Sequence, residues 1–129
     1  MLFRSGQGKV NILNKGNISL DGQRTTGIFA KNNKTGATLT NAIAINDTTG
    51  KVTTTGIKAV GMSGEKAEII NRETINVNEQ KGTGMFAKSN SRIENSGTIN
   101  IIASTSASKP NIGIFTEDIN TDLPAVSGH

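Results

Sequence analysis

Three carboxylates crowd into one short stretch: Glu117, Asp118 and Asp122 in Thr-Glu-Asp-Ile-Asn-Thr-Asp. Acids this close could hold calcium if several oxygens converged, or divide into a general acid and a general base. Their spacing matches neither an EF-hand loop nor a Gly-Gly-x-Gly-x-Asp repeat, so they read as solvated loop acids. Asp21 and Asp47 stand beside Gly22 and Thr48-Thr49-Gly50 and read as turn residues. The only histidine is His129, the last residue given, so neither a Ser-His-Asp triad nor a His-ligated metal is expected. There is no Cys, which excludes disulfides, thiolate zinc and a thiol nucleophile. Gly-Gln-Gly at 6–8 lacks the Lys-Ser/Thr of a phosphate loop. No catalytic residue, metal or cofactor is assigned, and the chain is not expected to be an enzyme.

A second group of residues recurs instead of clustering. Gly-Ile-Phe-Ala-Lys begins at Gly27, Gly-Ile-Lys-Ala at Gly56, Gly-Met-Phe-Ala-Lys at Gly84 and Gly-Ile-Phe-Thr-Glu at Gly113. The steps are 29, 28 and 29 residues, and a fixed period of this size marks an array of stacked units. The third position reads Phe29, Lys58, Phe86 and Phe115; a position that accepts Lys faces solvent. The second (Ile28, Ile57, Met85, Ile114) and fourth (Ala30, Ala59, Ala87, Thr116) then face inward. Alternation of this kind is a strand. Phe29 and Lys31, Lys58 and Val60, Phe86 and Lys88, and Phe115 and Glu117 thus share the outer side. Stacked, Phe29, Lys31, Lys58, Phe86, Lys88 and Phe115 form a stripe that supplies cations for an anionic glycan and flat apolar contact for a glycan or protein. The plainer reading is that loops cover the rings and the lysines keep the surface soluble. The Thr run at 53–55 does not recur at one position of every repeat, so an ice-binding face is not expected.

The elements that position this stripe follow from a second phrase. Ile-Leu-Asn-Lys-Gly-Asn-Ile-Ser-Leu (12–20), Leu-Thr-Asn-Ala-Ile-Ala-Ile-Asn-Asp (39–47), Ile-Ile-Asn-Arg-Glu-Thr-Ile-Asn-Val (69–77) and Ile-Glu-Asn-Ser-Gly-Thr-Ile-Asn-Ile (93–101) each place Ile four residues after Asn. The Asn positions are Asn14, Asn41, Asn71 and Asn95; the Ile positions are Ile18, Ile45, Ile75 and Ile99. The architecture is all-β, a parallel solenoid with strands stacked about 4.8 Å apart and Asn over Asn in a hydrogen-bonded ladder. The repeated glycine would supply a positive backbone angle at a turn. Residues 64–81 are charged enough to suggest a helix, yet Ile69, Asn71 and Ile75 fall on their neighbours' columns and argue strand. A leucine-rich repeat would need many more Leu and a helical return limb. About three full turns of 28–29 residues and two partial ones are expected, the first without its Gly-Ile-Phe-Ala strand. Residues 1–118 form the solenoid, with turns starting near Gly27, Gly56, Gly84 and Gly113, and 119–129 a disordered tail.

Composition agrees. Hydrophobic content is 33%, thin for a compact globule, and the 15 Gly with abundant Asn and Thr disfavour helix. The net charge of +4 comes without any Lys/Arg block, so nucleic acid is not an expected partner. No apolar run approaches a membrane span, and Met-Leu-Phe-Arg-Ser-Gly-Gln-Gly has no signal-peptide core. Without a polar cap at either end, the chain reads as a piece of a longer array, or a reading frame cut from one.

Gly-Ile-Phe-Ala-Lys-Asn-Asn, Gly-Met-Phe-Ala-Lys-Ser-Asn, Ile-Glu-Asn-Ser-Gly-Thr-Ile-Asn-Ile and Asn-Lys-Gly-Asn-Ile-Ser-Leu resemble the β-helical passenger repeats of type V secretion autotransporters, particularly large fusobacterial-type adhesins. The likeness covers residues 6–118. It implies a right-handed parallel β-helix, export to the cell surface through the outer membrane, and adhesion to a host or bacterial surface protein or glycan. It also implies a longer passenger, covalently continuous with a barrel translocator, this segment not inserting in a membrane itself. Glu73 and Ile43 stand where Gly16 and Gly97 suggest glycine, and Lys58 replaces the aromatic. The alternative is a fragment of a β-helical carbohydrate-processing enzyme, a lyase or hydrolase, whose catalytic turns lie outside this chain.

Overall fold

The computed structural model describes residues 2–6, 10–32, 42–89, 91–102, 111–117 and 127–128. The chain winds as a right-handed parallel β-helix. Turn one holds β1 (Leu2–Gly6), β2 (Val10–Asn14) and β3 (Asn17–Leu20). Turn two holds β4 (Thr26–Asn32), β5 (Ala42–Asn46) and β6 (Lys51–Thr54). Turn three holds β7 (Val60–Glu65), β8 (Glu68–Asn71) and β9 (Thr74–Val77), and turn four β10 (Thr83–Lys88), β11 (Arg92–Asn95) and β12 (Thr98–Ile101). A fifth turn contributes β13 (Ile112–Glu117) and β14 (Ser127–Gly128). Every pairing is parallel. Sheet A is β1-β4-β7-β10-β13, sheet B β14-β11-β8-β5-β2 and sheet C β12-β9-β6-β3. The charged stretch 64–81 is strand and turn, as its columns required.

Alternation builds the core. Ile28, Met62 and Met85 from sheet A, Ile69 and Ile93 from sheet B, and Val52, Ile75 and Val77 from sheet C are buried in one continuous cluster. Small residues Ala30, Gly64 and Ala87 stack in one column where the wall turns toward sheet B. Fully burying an Ile or Met side chain contributes about 1.5–3 kcal/mol, so a chain poor in apolar residues suffices when most of its buried positions are apolar.

The register corrects the expected repeat at its second turn. Gly61, not Gly56, aligns with Gly27 and Gly84, because Ile28 pairs with Met62 and Met62 with Met85. Asn46 stands in line with Asn14 and Asn71, and Val52 with Ile18 and Ile75. Asn41 lies outside the described residues. The steps are therefore unequal: Ile28 to Met62 is 34 residues, Met62 to Met85 is 23 and Met85 to Ile114 is 29. Rungs are held to one hydrogen-bond spacing, whereas connecting loops are free to differ in length.

Three further expectations change. Turn one does have its sheet A strand, with Phe3 in register with Phe29. Among the described residues there are thus four complete turns and part of a fifth. Ser127 and Gly128, placed in the expected disordered tail, pair with Glu94 and Asn95 of β11. Finally, Gly50 occupies the corner position shared with Gly16, Glu73 and Gly97, as the bonds Lys51 N–H to Gly16 O, Thr74 N–H to Gly50 O and Thr98 N–H to Glu73 O establish. Glu73 is a true departure from glycine at this corner; Ile43 is not part of it.

Candidate functional site

The interior carries an amide ladder at the corner between sheets B and C. Asn14 Nδ2 donates to Asn46 Oδ1 at 2.8 Å, Asn46 Nδ2 to Asn71 Oδ1 at 2.8 Å, and Asn71 Nδ2 to Asn95 Oδ1 at 2.9 Å. The same amides reach corner carbonyls: Asn14 to Gly16, Asn46 to Gly50 and Asn71 to Glu73. A carboxamide both donates and accepts, which lets one residue type repeat along a column. Asn14, Asn71 and Asn95 thus stand in the expected ladder, and Asn46 takes the position assigned to Asn41. This is scaffold: Asn46 and Asn71 are fully buried.

The outer face of sheet A carries the remaining candidates. Its aromatic column runs Phe3, Phe29, Ser63, Phe86, Phe115 by backbone register. Phe29 and Phe86 are half-buried and Phe115 is 39% exposed. The Phe86 and Phe115 rings stack with centroids 5.3 Å apart and planes 11° apart. Two such rings spend their faces on each other along the helix axis and turn their edges outward; the pair contributes about 0.5–1.5 kcal/mol beyond area burial.

Two residues along runs a charge column: Lys31, Glu65, Lys88, Glu117. Lys31 Nζ lies 3.5 Å from Glu65 Oε2. Lys88 lies in register between Glu65 and Glu117. The expected cationic stripe is therefore a row of alternating sign with two cations and two anions, an arrangement with no net pull on an anionic ligand. Val60 and Ile112 add apolar surface beside the rings, in register with Thr83.

Lys58 does not belong to this face. It lies in the turn before β7, exposed, with φ of 62°. Arg24 and Lys81 hold the same left-handed conformation, at φ of 57° and 59°, in the turns before β4 and β10. The glycine column does not: Gly27, Gly61 and Gly84 lie within strands and have no positive φ. The left-handed region costs an L-residue roughly 1–2 kcal/mol, partly offset on mutation to Gly by about 0.5–1 kcal/mol of chain entropy. Lys58→Gly is accordingly expected to stabilise the chain by about 0.5 kcal/mol in urea unfolding and to leave surface binding unchanged. A destabilised variant would contradict the assignment.

The remaining acids are dispersed. Asp47 begins the turn closed by Gly50 N–H to Asp47 O at 2.8 Å, and its carboxylate pairs with Arg72 at 3.3 Å. A hydrogen bond from the Thr48 backbone, joined by the Arg72 guanidinium, holds its carboxyl below the ordinary value of 3.8. Glu68 lies 3.6 Å from Arg92. Asp21 lines a shallow depression of about 250 Å³ with Ser19, Leu20, Thr53 and Thr55. The outer column holding Thr53 reads Ser19, Thr53, Asn76, Asn100, with Asn100 donating to Asn76 and Asn76 to Thr53. Glu117 is exposed at the end of β13; Asp118, Asp122 and His129 lie outside the described residues. Among the described residues no three His, Cys, Asp or Glu side chains are grouped to hold a metal ion.

Sequence reasoning missed Ser63 and Glu65 on this face. The signal was present in Val-Gly-Met-Ser-Gly-Glu, which matches Thr-Gly-Ile-Phe-Ala-Lys in its glycine, its large apolar third residue, its small fifth and its charged sixth, although Ser63 stands where the other has Phe29. Compared with known proteins, residues 1–118 match a family model described as the BigA third pectate lyase-like domain. No curated protein and no solved structure matches the chain.

Proposed function

The chain belongs to the BigA third pectate lyase-like domain family, and from that premise we propose that it is a segment of a bacterial surface adhesin passenger, an extended stalk that displays the outer face of sheet A. The proposal includes the finer likeness to fusobacterial-type autotransporter repeats. The segment would be covalently continuous with a longer passenger and reach the cell surface through a barrel translocator in the outer membrane. It acts by extension and display, without catalysis.

The observation that carries this reading is the placement of the phenylalanines. The core is filled by the inward positions, yet Phe29, Phe86 and Phe115 occupy outward ones beside Val60 and Ile112. Apolar side chains gathered on an outer face favour a contact surface. Ring edges and a neutral charge row suit a protein partner better than an anionic glycan, which calls for net positive charge and open ring faces.

Cell binding by the purified chain tests the reading. Replacing both Phe86 and Phe115 by Ser is expected to weaken binding at least about tenfold, the scale of losing an aromatic anchor, with an unchanged circular dichroism spectrum. Unchanged binding, or loss of the fold, would count against the surface. The family's pectate lyase-like description keeps one rival reading in view, a carbohydrate-processing enzyme with its catalytic turns elsewhere. Convergent acids on one outward strand face in the flanking sequence would favour that rival.

A further inference from the structure

We propose that the outer face of sheet A docks onto the same face of a second copy of this chain, with the two solenoids antiparallel. The inference rests on reading that face as a contact surface and names its partner. Its basis is the order of the charge column, Lys31, Glu65, Lys88, Glu117. A row of four alternating charges read backwards is its own complement.

Consider a two-fold axis parallel to the strands, passing between β7 and β10. It keeps each column facing itself and reverses the order of rungs. Lys31 then faces Glu117 of the second copy, and Glu65 faces Lys88 of the second copy; symmetry repeats both pairs. Each charge meets its opposite across the axis, and the two inner ones, Glu65 and Lys88, also have an opposite charge on both adjoining rungs. A parallel pairing that superposed the rows would set Lys on Lys and Glu on Glu, so the row fixes orientation as well as partner. Such an interface is isologous and closes as a dimer.

The aromatic column obeys the same reversal. Ser63, the small residue in the column, comes opposite Phe86 of the second copy, so a ring edge enters the gap between Phe29 and Phe86. Phe29 meets Phe115, and Val60 meets Thr83. The stacked rings project edges, which insert between side chains more readily than they receive a flat ligand. The axis between β7 and β10 is the one that pairs all four charges, and the size pattern in the separate aromatic column is compatible with it.

Sedimentation velocity on the 129-residue chain tests this. The wild-type chain is expected to show a concentration-dependent dimer that weakens as salt rises. Glu65→Lys alone places two cations against two cations across the axis, and Lys88→Glu alone places two anions against two anions. Each variant is expected to dimerise at least tenfold more weakly than wild type. An equimolar mixture of the two sets cations against anions and is expected to recover wild-type dimerisation. Ser63→Phe fills the gap and is expected to block docking while extending the aromatic column within the chain, so its thermal midpoint does not fall. Circular dichroism accompanies each variant. Monomeric wild type at every concentration, single variants that dimerise normally, or a folded mixture that stays monomeric would overturn the proposal. If Phe86→Ser/Phe115→Ser abolishes cell binding while the wild-type chain is monomeric, self-docking alone falls and the surface reading stands.

Discussion

Asn46→Ala is expected to lower the thermal midpoint by about 10–20 °C. Asn46 has no solvent exposure, and its amide links Asn14 on one rung to Asn71 on the next. Alanine strips the donor from Asn71 Oδ1, removes one acceptor of the Asn14 amide, and frees the carbonyls of Gly50 and Thr74 that Asn46 reaches at 3.3 Å. Each buried polar group left without a partner costs about 1–3 kcal/mol, and two such losses give about 2–6 kcal/mol. At this chain length 1 kcal/mol moves the midpoint by roughly 3–5 °C. Asn46→Asp keeps the size but sets an acceptor against Asn71 Oδ1, and at neutral pH is expected to cost at least as much. Among the described residues Asn14 bonds one ladder neighbour, Asn46, and Asn14→Ala should cost about half. Calorimetry of the three variants checks the order. An Asn46→Ala midpoint within about 1 °C of wild type would mean that the ladder contributes no stability.

The same ladder explains what the sequence could and could not reveal. Asn14 to Ile18, Asn71 to Ile75 and Asn95 to Ile99 are all steps of four residues, because two residues join each pair of strands at that corner. Between β5 and β6 there are four, Asp47 to Gly50. The true partner of Asn46, Val52, is thus six residues away, while Asn41 and Ile45 have the shorter spacing although Ile45 stands in register with Leu13 and Ile70. Gly56-Ile57-Lys58-Ala59 misleads in the same way. It reproduces Gly27-Ile28-Phe29-Ala30 except at the third position, yet Ile57 is 40% exposed in a turn, and the strand is the next six residues. A stacked coil constrains size and polarity at columns and tolerates loops of any length between them. The solenoid, its inward faces and the place of Phe29, Phe86, Phe115, Lys31 and Lys88 were legible because several turns repeat them. The alternation of charge was not, since it depends on Glu65 and hence on the phase of a turn whose length differs from its neighbours.

Gly61→Ala is expected to be costly for so small a change. A Cβ at Gly61 would lie 2.6 Å from the carbonyl oxygen of Gly84 and 2.6 Å from Ile75 Cγ2. At Gly27 it would meet Gly61 O at 2.7 Å and Val52 Cγ1 at 2.6 Å, and at Gly84 the oxygen of Gly113 and Ile99 Cγ2, both at 2.6 Å. The glycine column and the β-branched column of sheet C are therefore two sides of one contact: sheet A gives up its Cβ so that the γ-methyl of the facing residue can seat. Glycine is required here for space. One clash is with backbone of the adjoining rung, which cannot move without breaking the sheet A ladder. Overpacking a tight site costs about 1–3 kcal/mol when side chains can yield, and more when backbone must. Gly61→Ala is expected to cost more than about 3 kcal/mol in urea unfolding, and Gly61→Val to abolish cooperative folding. Ile75→Ala in the Gly61→Ala background should rescue little, since the Gly84 oxygen remains. Gly16 supplies the contrast: nothing lies within 4 Å of its would-be Cβ, so Gly16→Ala should stay within about 0.5 kcal/mol of wild type. Equal effects at Gly16 and Gly61 would show that chain entropy, not the approach of the two sheets, sets the need for glycine.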